Sequence, residues 1–262
     1  MNPTPPVVEF LGANVSHFDN PEEILIRQVN WRIGTGEFWV VGGRTASGKT
    51  SLLLTAAGLN RPAGGTLRIF GKDLLEARER DQIAWRHRIG LVFEFGGRVF
   101  NHLTVAENIA LPLRYHLHAA DQEIRTKVDE LLSLADLRQH AQQLPSRLSL
   151  ALQQRVSLAR ALTSTAGLNA PPDVLLLDNP LSTLSLRDCR WWVDFLRRLR
   201  QDRKPDAGIM TIVATADDFR GWTEAATHFA IIDENQFRII GPRDRLDASN
   251  EPIVHELLAT ES

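Results

Sequence analysis

Eight consecutive residues, 43–50, match the pattern G-x-x-x-x-G-K-[ST] in full. Glycines in such a loop let the backbone curl so that successive N–H groups converge on phosphate oxygens, and the helix that follows adds partial positive charge. The lysine of this pattern reaches the β- and γ-phosphates of a nucleotide, and the next hydroxyl ligates Mg²⁺. A chance glycine turn is disfavoured by the strand and helix predicted on either side. The predicted nucleotide contacts are Gly43, Arg44, Thr45, Ala46, Ser47, Gly48, Lys49, Thr50 and Ser51, with Thr50 also a metal ligand.

A second candidate lies much further along the chain, where the apolar run Leu175-Leu176-Leu177 ends in Asp178. A carboxylate at the end of a buried strand is well placed to hold Mg²⁺, directly or through water, beside a phosphate loop. Many strands end in Asp, so the pattern gains its meaning from the complete loop that precedes it. Asp178 is therefore predicted as a second metal ligand, and a nucleotide with Mg²⁺ as the bound group.

Both candidates lie at the ends of predicted strands. Residues 37–42 are a short apolar run entering the glycine loop, and 48–59 are predicted as the helix after it. Apolar strands that alternate with helices indicate an α/β fold with a mainly parallel sheet covered on both faces. Further strands are predicted at 7–33 (two, around the turn Asp19-Asn20-Pro21), 65–70 (a hairpin with the Gly71 turn), 89–93, 173–177, 209–214 and 229–233, and helices at 104–167 (broken at Leu144-Pro145), 186–202 and 243–260.

The composition excludes several classes of protein. The 262 residues are 43% hydrophobic and 24% charged, and 30 basic against 32 acidic residues give a net charge of −2, which offers no sign of a nucleic-acid partner. The first residues, MNPTPPVVEF, lack the pattern of a signal peptide, and no apolar run approaches the length of a membrane span, so neither is expected. The histidines, His118 among them, show no metal-ligand spacing with the one cysteine, Cys189.

The chain resembles the nucleotide-binding domain of ABC transporters over nearly its whole length. Beyond the phosphate loop, the resemblance rests on four segments that are similar to the family's Q-loop, signature, Walker B with D-loop, and switch-histidine regions. It implies a P-loop NTPase with a RecA-like core, an antiparallel β subdomain and a helical subdomain near 95–165, all within one domain, 1–262. Phe18 is then expected to stack on adenine, and the end of the chain is similar to the lipid-trafficking (Mla-type) cassettes. The four segments are 90–113, 144–162, 175–185 and 211–218.

The resemblance also implies an assembly. Cassettes pair head to tail, as homodimers or heterodimers, so that each ATP lies between the phosphate loop of one subunit and the signature loop of the other. Such pairs drive a membrane permease, so the chain is expected on the cytoplasmic face of a membrane as a peripheral subunit. Ser149 is the signature residue expected to face a nucleotide, and residues 94–115 are expected to form the groove that receives the permease.

Several positions depart from the family where hydrolysis takes place. The glutamate that polarises the attacking water is replaced by Asn179, and the general-base help that is lost is typically worth about 10²–10⁴-fold. The switch histidine is replaced by Ala216 and the D-loop aspartate by Ser185. The Q-loop glutamine is replaced by Glu94, which keeps an oxygen for Mg²⁺ and is a predicted metal ligand. Residues 148–152 read LSLAL, so both signature glycines are lost. No catalytic residue is therefore expected intact.

These departures leave three functions open. The favoured one is a transporter-associated subunit that binds ATP with Mg²⁺ and hydrolyses it weakly or not at all. The others are a regulatory cassette protein without a permease, and an active ATPase in which Glu94 substitutes as the base. The basic, aromatic stretch 186–200 is expected to bury Trp191, Val193, Phe195 or Leu196 rather than to touch a membrane surface.

Overall fold

The computed structural model of the protein describes residues 5–96, 99–116, 119–163, 171–201 and 209–259. Parts of some predicted features lie outside these ranges. They are His118, the final residues of the predicted helical stretches 104–167 and 186–202, residue 260 of the predicted C-terminal helix, and residues 97–98, 117–118 and 164–165 of the predicted helical subdomain.

Among the described residues, ten strands form one sheet: β1 (Val8–Ser16), β2 (Ile24–Ile33), β3 (Phe38–Gly43), β4 (Gly64–Ile69), β5 (Lys72–Asp73), β6 (Ile89–Val92), β7 (Val174–Leu177), β8 (Thr211–Ala216), β9 (His228–Asp233) and β10 (Gln236–Gly241). Their order is β5-β4-β1-β2-β10-β9-β3-β8-β7-β6. The half that contains β9, β3, β8, β7 and β6 is parallel, whereas β1 pairs antiparallel with β2 and β4. The predicted fold class, a mainly parallel α/β core with an antiparallel β subdomain, is confirmed.

The described helices are α1 (Lys49–Ala56), α2 (Glu79–Arg86), α3 (Val105–His116), α4 (Asp121–Leu134), α5 (Leu150–Ala161), α6 (Leu186–Gln201), α7 (Arg243–Asp247) and α8 (Pro252–Leu258). Helix α3 packs against α4 and α5, which gives the helical subdomain of the fold class. The predicted break at Leu144-Pro145 is part of a longer interruption, because α4 ends at Leu134 and α5 begins at Leu150, with 3₁₀ turns at Arg138–His140 and Pro145–Arg147 between them.

Strand β3 carries the chain from the core to the phosphate loop. Its side chains alternate between the two faces of the sheet, as the period of two requires. Phe38 and Val40 enter one hydrophobic cluster, while Trp39 and Val41 enter the other. Because both faces are covered, every residue of β3 is buried, and the strand is a fixed base for the loop that follows it.

The carboxyl ends of four parallel strands meet at one edge of the sheet. Gly42 of β3 lies opposite Ala216 of β8, and Leu177 of β7 lies opposite Ala214 of β8 and Val92 of β6. Ligands of open α/β sheets bind at this edge, where helix amino termini and strand ends point the same way. The register therefore places the phosphate loop, Asp178 and the residues after β8 around one site.

Three elements differ from the sequence predictions. Helix α2 was not predicted because only Trp85 among its residues is buried, so the apolar periodicity is weak. Strand β10 was not predicted either; it forms a hairpin with β9 through Glu234 and Asn235, which both have positive φ angles of 47° and 61°. The predicted helix 243–260 is wrong as one element, because the described part consists of α7 and α8, and α8 begins at Pro252.

Helix α6 buries a different tryptophan from the one predicted. Trp192, Phe195 and Leu196 are buried, whereas Trp191 and Val193 are only half-buried, so the prediction for these two is wrong. Trp192, Phe195 and Leu196 are spaced three and four residues apart, so they lie on the face of the helix that packs against the core. Trp191 lies at the edge of that face. Trp191 instead donates a hydrogen bond from Nε1 to Asp136 over 2.6 Å.

Candidate nucleotide-binding site

The phosphate loop connects β3 to α1 in a conformation that favours glycine at two points. Gly48 has a φ of 98°, a left-handed angle that a side chain would strain. A Cβ atom on Gly43 would lie 2.6 Å from Ser47 Oγ and 2.9 Å from the carbonyl oxygen of Ile232. The loop is therefore curled tightly against β9, and the first amides of α1 have no acceptor within their own helix.

Lys49 is buried, with 7% of its surface exposed, and its ammonium group lies within the loop. Its Nζ donates to the carbonyl oxygens of Gly43 over 2.6 Å and of Arg44 over 2.8 Å. It also forms an ion pair with Asp217, in which Nζ lies 2.7 Å from Oδ1. The predicted phosphate-binding lysine is thus ion-paired with Asp217, which directly follows β8.

Thr50 and Asp178, the two predicted metal ligands, are in direct contact. Thr50 Oγ1 donates to Asp178 Oδ2 over 2.8 Å, and Thr215 Oγ1 donates to Asp178 Oδ1 over 3.0 Å. Burial raises the pKa of the Asp178 carboxyl, while the two threonine hydrogen bonds and the charge of Lys49 oppose that rise. A buried carboxylate beside a hydroxyl is a set of hard oxygen ligands, which Mg²⁺ prefers.

Asn179 follows Asp178 and joins two carboxylates. Its Nδ2 donates to Glu94 Oε1 over 2.9 Å and to Asp217 Oδ2 over 2.7 Å. Its backbone nitrogen donates to Thr215 Oγ1 over 2.9 Å, so the residue is fixed at both ends. The structure thereby links Glu94, Asn179, Asp217 and Lys49 into one chain of polar contacts across the edge of the sheet.

These groups line a cavity of about 670 Å³. Several of the predicted contacts take part in it, and its volume falls in the range of small-molecule sites. His17 lies on the wall, whereas Phe18, the predicted adenine contact, is 45% exposed and is not among the lining residues. The lining comprises His17, Glu23, Leu25, Thr45, Ala46, Gly48, Lys49, Thr50, Ser51, Glu94, Phe95, Asp178, Asn179, Ser182 and Asp217.

Three other predicted site residues have local partners away from this wall. Ser149 caps α5, where its Oγ accepts from the backbone nitrogen of Leu152 over 3.4 Å. Ser185 Oγ donates to Asp188 Oδ2 over 2.6 Å at the start of α6. Arg44 pairs with Glu256 of α8 and with Asp233, through contacts of 2.6 Å and 2.9 Å. One chain alone therefore brings the phosphate loop together with Thr50 and Asp178, the predicted metal ligands, and leaves Ser149 and Ser185 apart from them.

Ala216 occupies the position at which the family resemblance implies a histidine. It ends β8, is 2% exposed, and presents only a methyl group. The polar groups at this strand end come from its neighbours, because Thr215 contacts Asp178 and Asp217 contacts Lys49.

The residues present fit a nucleotide with Mg²⁺. Lys49, Thr50 and Asp178 line the same cavity, so a phosphate group and a metal that accompanies it would both find partners there. Within the described part of the chain, no three His, Cys, Asp or Glu side chains are grouped so as to hold a metal on their own. Mg²⁺ is commonly bound by one or two carboxylates together with substrate phosphates, and Asp178 with Thr50 supplies that protein share.

Asp217, Thr215 and His17 belong to the site although no sequence motif identified them. A signal for the first two was present, since they flank Ala216 in the segment 211–218, which is similar to the family's switch-histidine region. No comparable signal existed for His17, because its place on the cavity wall depends on how the loop between β1 and β2 folds back.

No described helix is both long and apolar enough to cross a membrane.

Comparisons with known proteins agree with this geometry. The model of the family described as "ABC transporter" matches residues 26–182. The spermidine/putrescine import ATP-binding protein PotA of Thermotoga maritima is 38% identical over 174 residues, which are 66% of this chain and 44% of the relative. The sulfate/thiosulfate import ATP-binding protein CysA of Mycolicibacterium paratuberculosis is 32% identical over 243 residues, 91% of this chain and 61% of the relative. The chain thus spans less than two thirds of the length of these relatives.

A solved structure supports the same relationship. A dimeric ATP-binding cassette bound to ADP and Pi aligns with a TM-score of 0.75 and 26% sequence identity, over 87% of this chain and 95% of that chain. The alignment thus covers nearly all of the solved cassette.

Proposed function

This chain belongs to the ABC transporter family, and we propose that it is an ATP-binding subunit that holds ATP with Mg²⁺ but hydrolyses ATP weakly or not at all. Lys49 and the amides of the phosphate loop would hold the phosphates, and Thr50, Asp178 and Glu94 would supply oxygens to the metal. Bound Mg²⁺ would neutralise phosphate charge and bridge the phosphates to the protein.

The proposal rests on the hydrogen bonds that the Asn179 side chain makes. Its amide nitrogen donates to Glu94 and Asp217, and an amide accepts no proton at neutral pH. The position that would activate water in the family is therefore used to tie two carboxylates together. Ala216, beside it, offers no group to orient that water.

Pairing with a second cassette does not repair this defect. In a head-to-tail dimer, each site combines the phosphate loop of one subunit with the signature loop of the other. A homodimer of this chain would lack the base, the switch histidine and the signature glycines at both sites. In a heterodimer, one site would lack the base of this chain and the other would contain its LSLAL signature. ATP would then act as a structural or regulatory ligand and stabilise the folded assembly by mass action.

Association with a membrane permease is part of the proposal. The relatives named above are import ATP-binding proteins, which supports a place in a transport complex at the cytoplasmic face of a membrane. We take residues 1–262 as one cassette with a helical subdomain near 95–165, and residues 94–115 as the face toward the permease. The likeness to lipid-trafficking cassettes stays a prediction, and so does the stacking of Phe18 on adenine.

The proposal is tested by nucleotide binding to the protein purified from membranes with its partners. A fluorescent ATP analogue should bind in the presence of Mg²⁺, and Lys49→Ala should weaken binding about 10- to 100-fold because a charged hydrogen bond is lost. Lys72→Ala, which removes a lysine paired with Asp81 in the β subdomain, is the matched control and should leave binding unchanged. Equal binding by Lys49→Ala and the wild type would contradict a nucleotide site at the loop.

The same preparation separates the alternatives. A polytopic membrane protein that co-purifies supports a transport subunit, whereas a chain that remains alone favours a regulatory cassette. Turnover of ATP that disappears in Glu94→Gln would favour an active enzyme in which Glu94 is the base.

A further inference from the structure

The ammonium group of Lys49 has three hydrogens, and the described structure gives it three acceptors. Two are backbone carbonyl oxygens of its own loop, from Gly43 and Arg44, and the third is Asp217 Oδ1. A phosphate oxygen that approaches Lys49 must therefore take the place of one of these acceptors. The carbonyls belong to the backbone of the curled loop, so the side chain of Asp217 is the acceptor that a ligand can displace without moving the backbone.

Asp217 is itself held in place by its second oxygen. Oδ2 accepts from Asn179 Nδ2 over 2.7 Å, while Oδ1 lies 2.7 Å from Lys49 Nζ. Asn179 is fixed by its backbone bond to Thr215 and by its contact with Glu94. The carboxylate is thus oriented toward Lys49 by a residue that stands where the family resemblance implies a glutamate. A glutamate there would repel Asp217 instead of holding it.

We propose that Asp217 is a built-in competitor for Lys49, which nucleotide phosphate must displace, so that Asp217 sets the nucleotide affinity of this site. The inference rests on the proposed function, because it concerns the same phosphate site. It adds a residue that acts against binding, with Asn179 as its positioning residue. The consequence is that the chain retains nucleotide less tightly than its intact phosphate loop alone would suggest.

The charges around the site point the same way. Glu23, Glu94, Asp178 and Asp217 bring four carboxylates to this cavity, and Lys49 is the one lysine or arginine among the described residues that line it. A triphosphate entering this cavity meets like charge unless a divalent cation accompanies it. Removal of the Asp217 charge should therefore strengthen binding both by freeing Lys49 and by lowering the repulsion.

The test is the affinity for a fluorescent ATP analogue with Mg²⁺, measured on the complete protein and on Asp217→Asn. The variant keeps the size of the side chain and removes its charge, and we expect it to bind about three- to tenfold more tightly, the range of a partly screened ion pair. Asp218→Asn is the matched control, because it removes the same charge one residue away, where the carboxylate pairs with Arg220. It should bind like the wild type. Asp217→Ser serves as a second variant if the amide misfolds.

A second readout separates competition from a general structural role. The ion pair with Lys49 stabilises the nucleotide-free protein, so Asp217→Asn should unfold at a lower temperature without nucleotide while it binds nucleotide more tightly. A variant that binds the analogue no better than the wild type, or more weakly, overturns the inference. An equal gain in Asp218→Asn also overturns it, because the effect would then be general repulsion. If neither the wild type nor any of these variants binds the analogue, the proposed function itself is contradicted.

Discussion

The side-chain amide nitrogen of Asn179 lies 2.9 Å from a carboxylate oxygen of Glu94, so the residue after Asp178 donates a hydrogen bond where a general base would accept a proton. The same nitrogen also donates to Asp217. An asparagine at this point neutralises none of the surrounding charge, but its two donor hydrogens satisfy both carboxylates. The replacement of glutamate is thus built into the packing of the site.

A glutamate in place of Asn179 should lower the stability of the folded protein. Asn179→Glu would place a third carboxylate against Glu94 and Asp217, at a residue with a φ of 42° that Asn tolerates better than Glu. We expect the unfolding midpoint to fall by about 2–5 °C, with no gain in ATP turnover, since Ala216 and the LSLAL signature remain. The double variant Glu94→Gln/Asn179→Glu removes one of the opposing charges and should recover much of the loss. An unchanged unfolding midpoint in the single variant would show that the hydrogen bonds from Asn179 to Glu94 and Asp217 do not stabilise the protein.

The tight turn at the start of the phosphate loop gives a second prediction. In Gly43→Ala the added methyl group would meet Ser47 Oγ at 2.6 Å and a backbone oxygen of Ile232 at 2.9 Å, so the loop must shift. Nucleotide affinity should fall at least about tenfold, as expected when loop amides no longer converge on phosphate. Gly64→Ala, whose new methyl meets only the tip of Asn14 at 3.2 Å, is the control and should bind normally. Calorimetric titration of both variants decides the question, and equal affinities would contradict the geometry described for the loop.

Acidic pH should lower the free energy of unfolding because His87 is buried in the folded protein. Burial, and secondarily the charge of His116, lowers the pKa of His87 below its ordinary value of 6.5. The unfolded chain therefore binds this proton more readily, and the stability that neutral His87 contributes is lost as pH falls below about 6.5 toward the folded pKa. We expect the free energy of unfolding, measured in urea at pH 7.5 and 5.5, to fall less in His87→Gln than in the wild type. The exposed His255→Gln should behave like the wild type; a parallel decline in all three proteins would exclude His87 as the cause.

The sequence was sufficient to predict the parts of the site that follow from local pattern. The order of strand, loop and helix around residues 43–50 required only apolar runs and glycine spacing, and the structure has β3, the loop and α1 there. Thr50 and Asp178 were each predicted as metal ligands from local pattern, and the structure places them in contact at the edge where parallel strands end.

Contacts between side chains from distant parts of the chain were beyond that reasoning. The pairing of Lys49 with Asp217 depends on which rotamers the two residues adopt once β3 and β8 are neighbours in the sheet. The exposed position of Phe18 and the place of His17 on the cavity wall depend on the loop after β1. Trp192 was missed in favour of Trp191 because two adjacent aromatic residues offer two helix phases, and packing chooses between them.

The central claim is that this protein binds ATP without appreciable hydrolysis, and it is tested most directly by measuring phosphate release and nucleotide binding together on the membrane-purified protein with its partners. We expect saturable, Mg²⁺-dependent binding with turnover well below that of an ordinary cassette measured in parallel, by a factor on the order of 10² or more. Turnover equal to that of the ordinary cassette, and abolished by Lys49→Ala in this chain, would contradict the account.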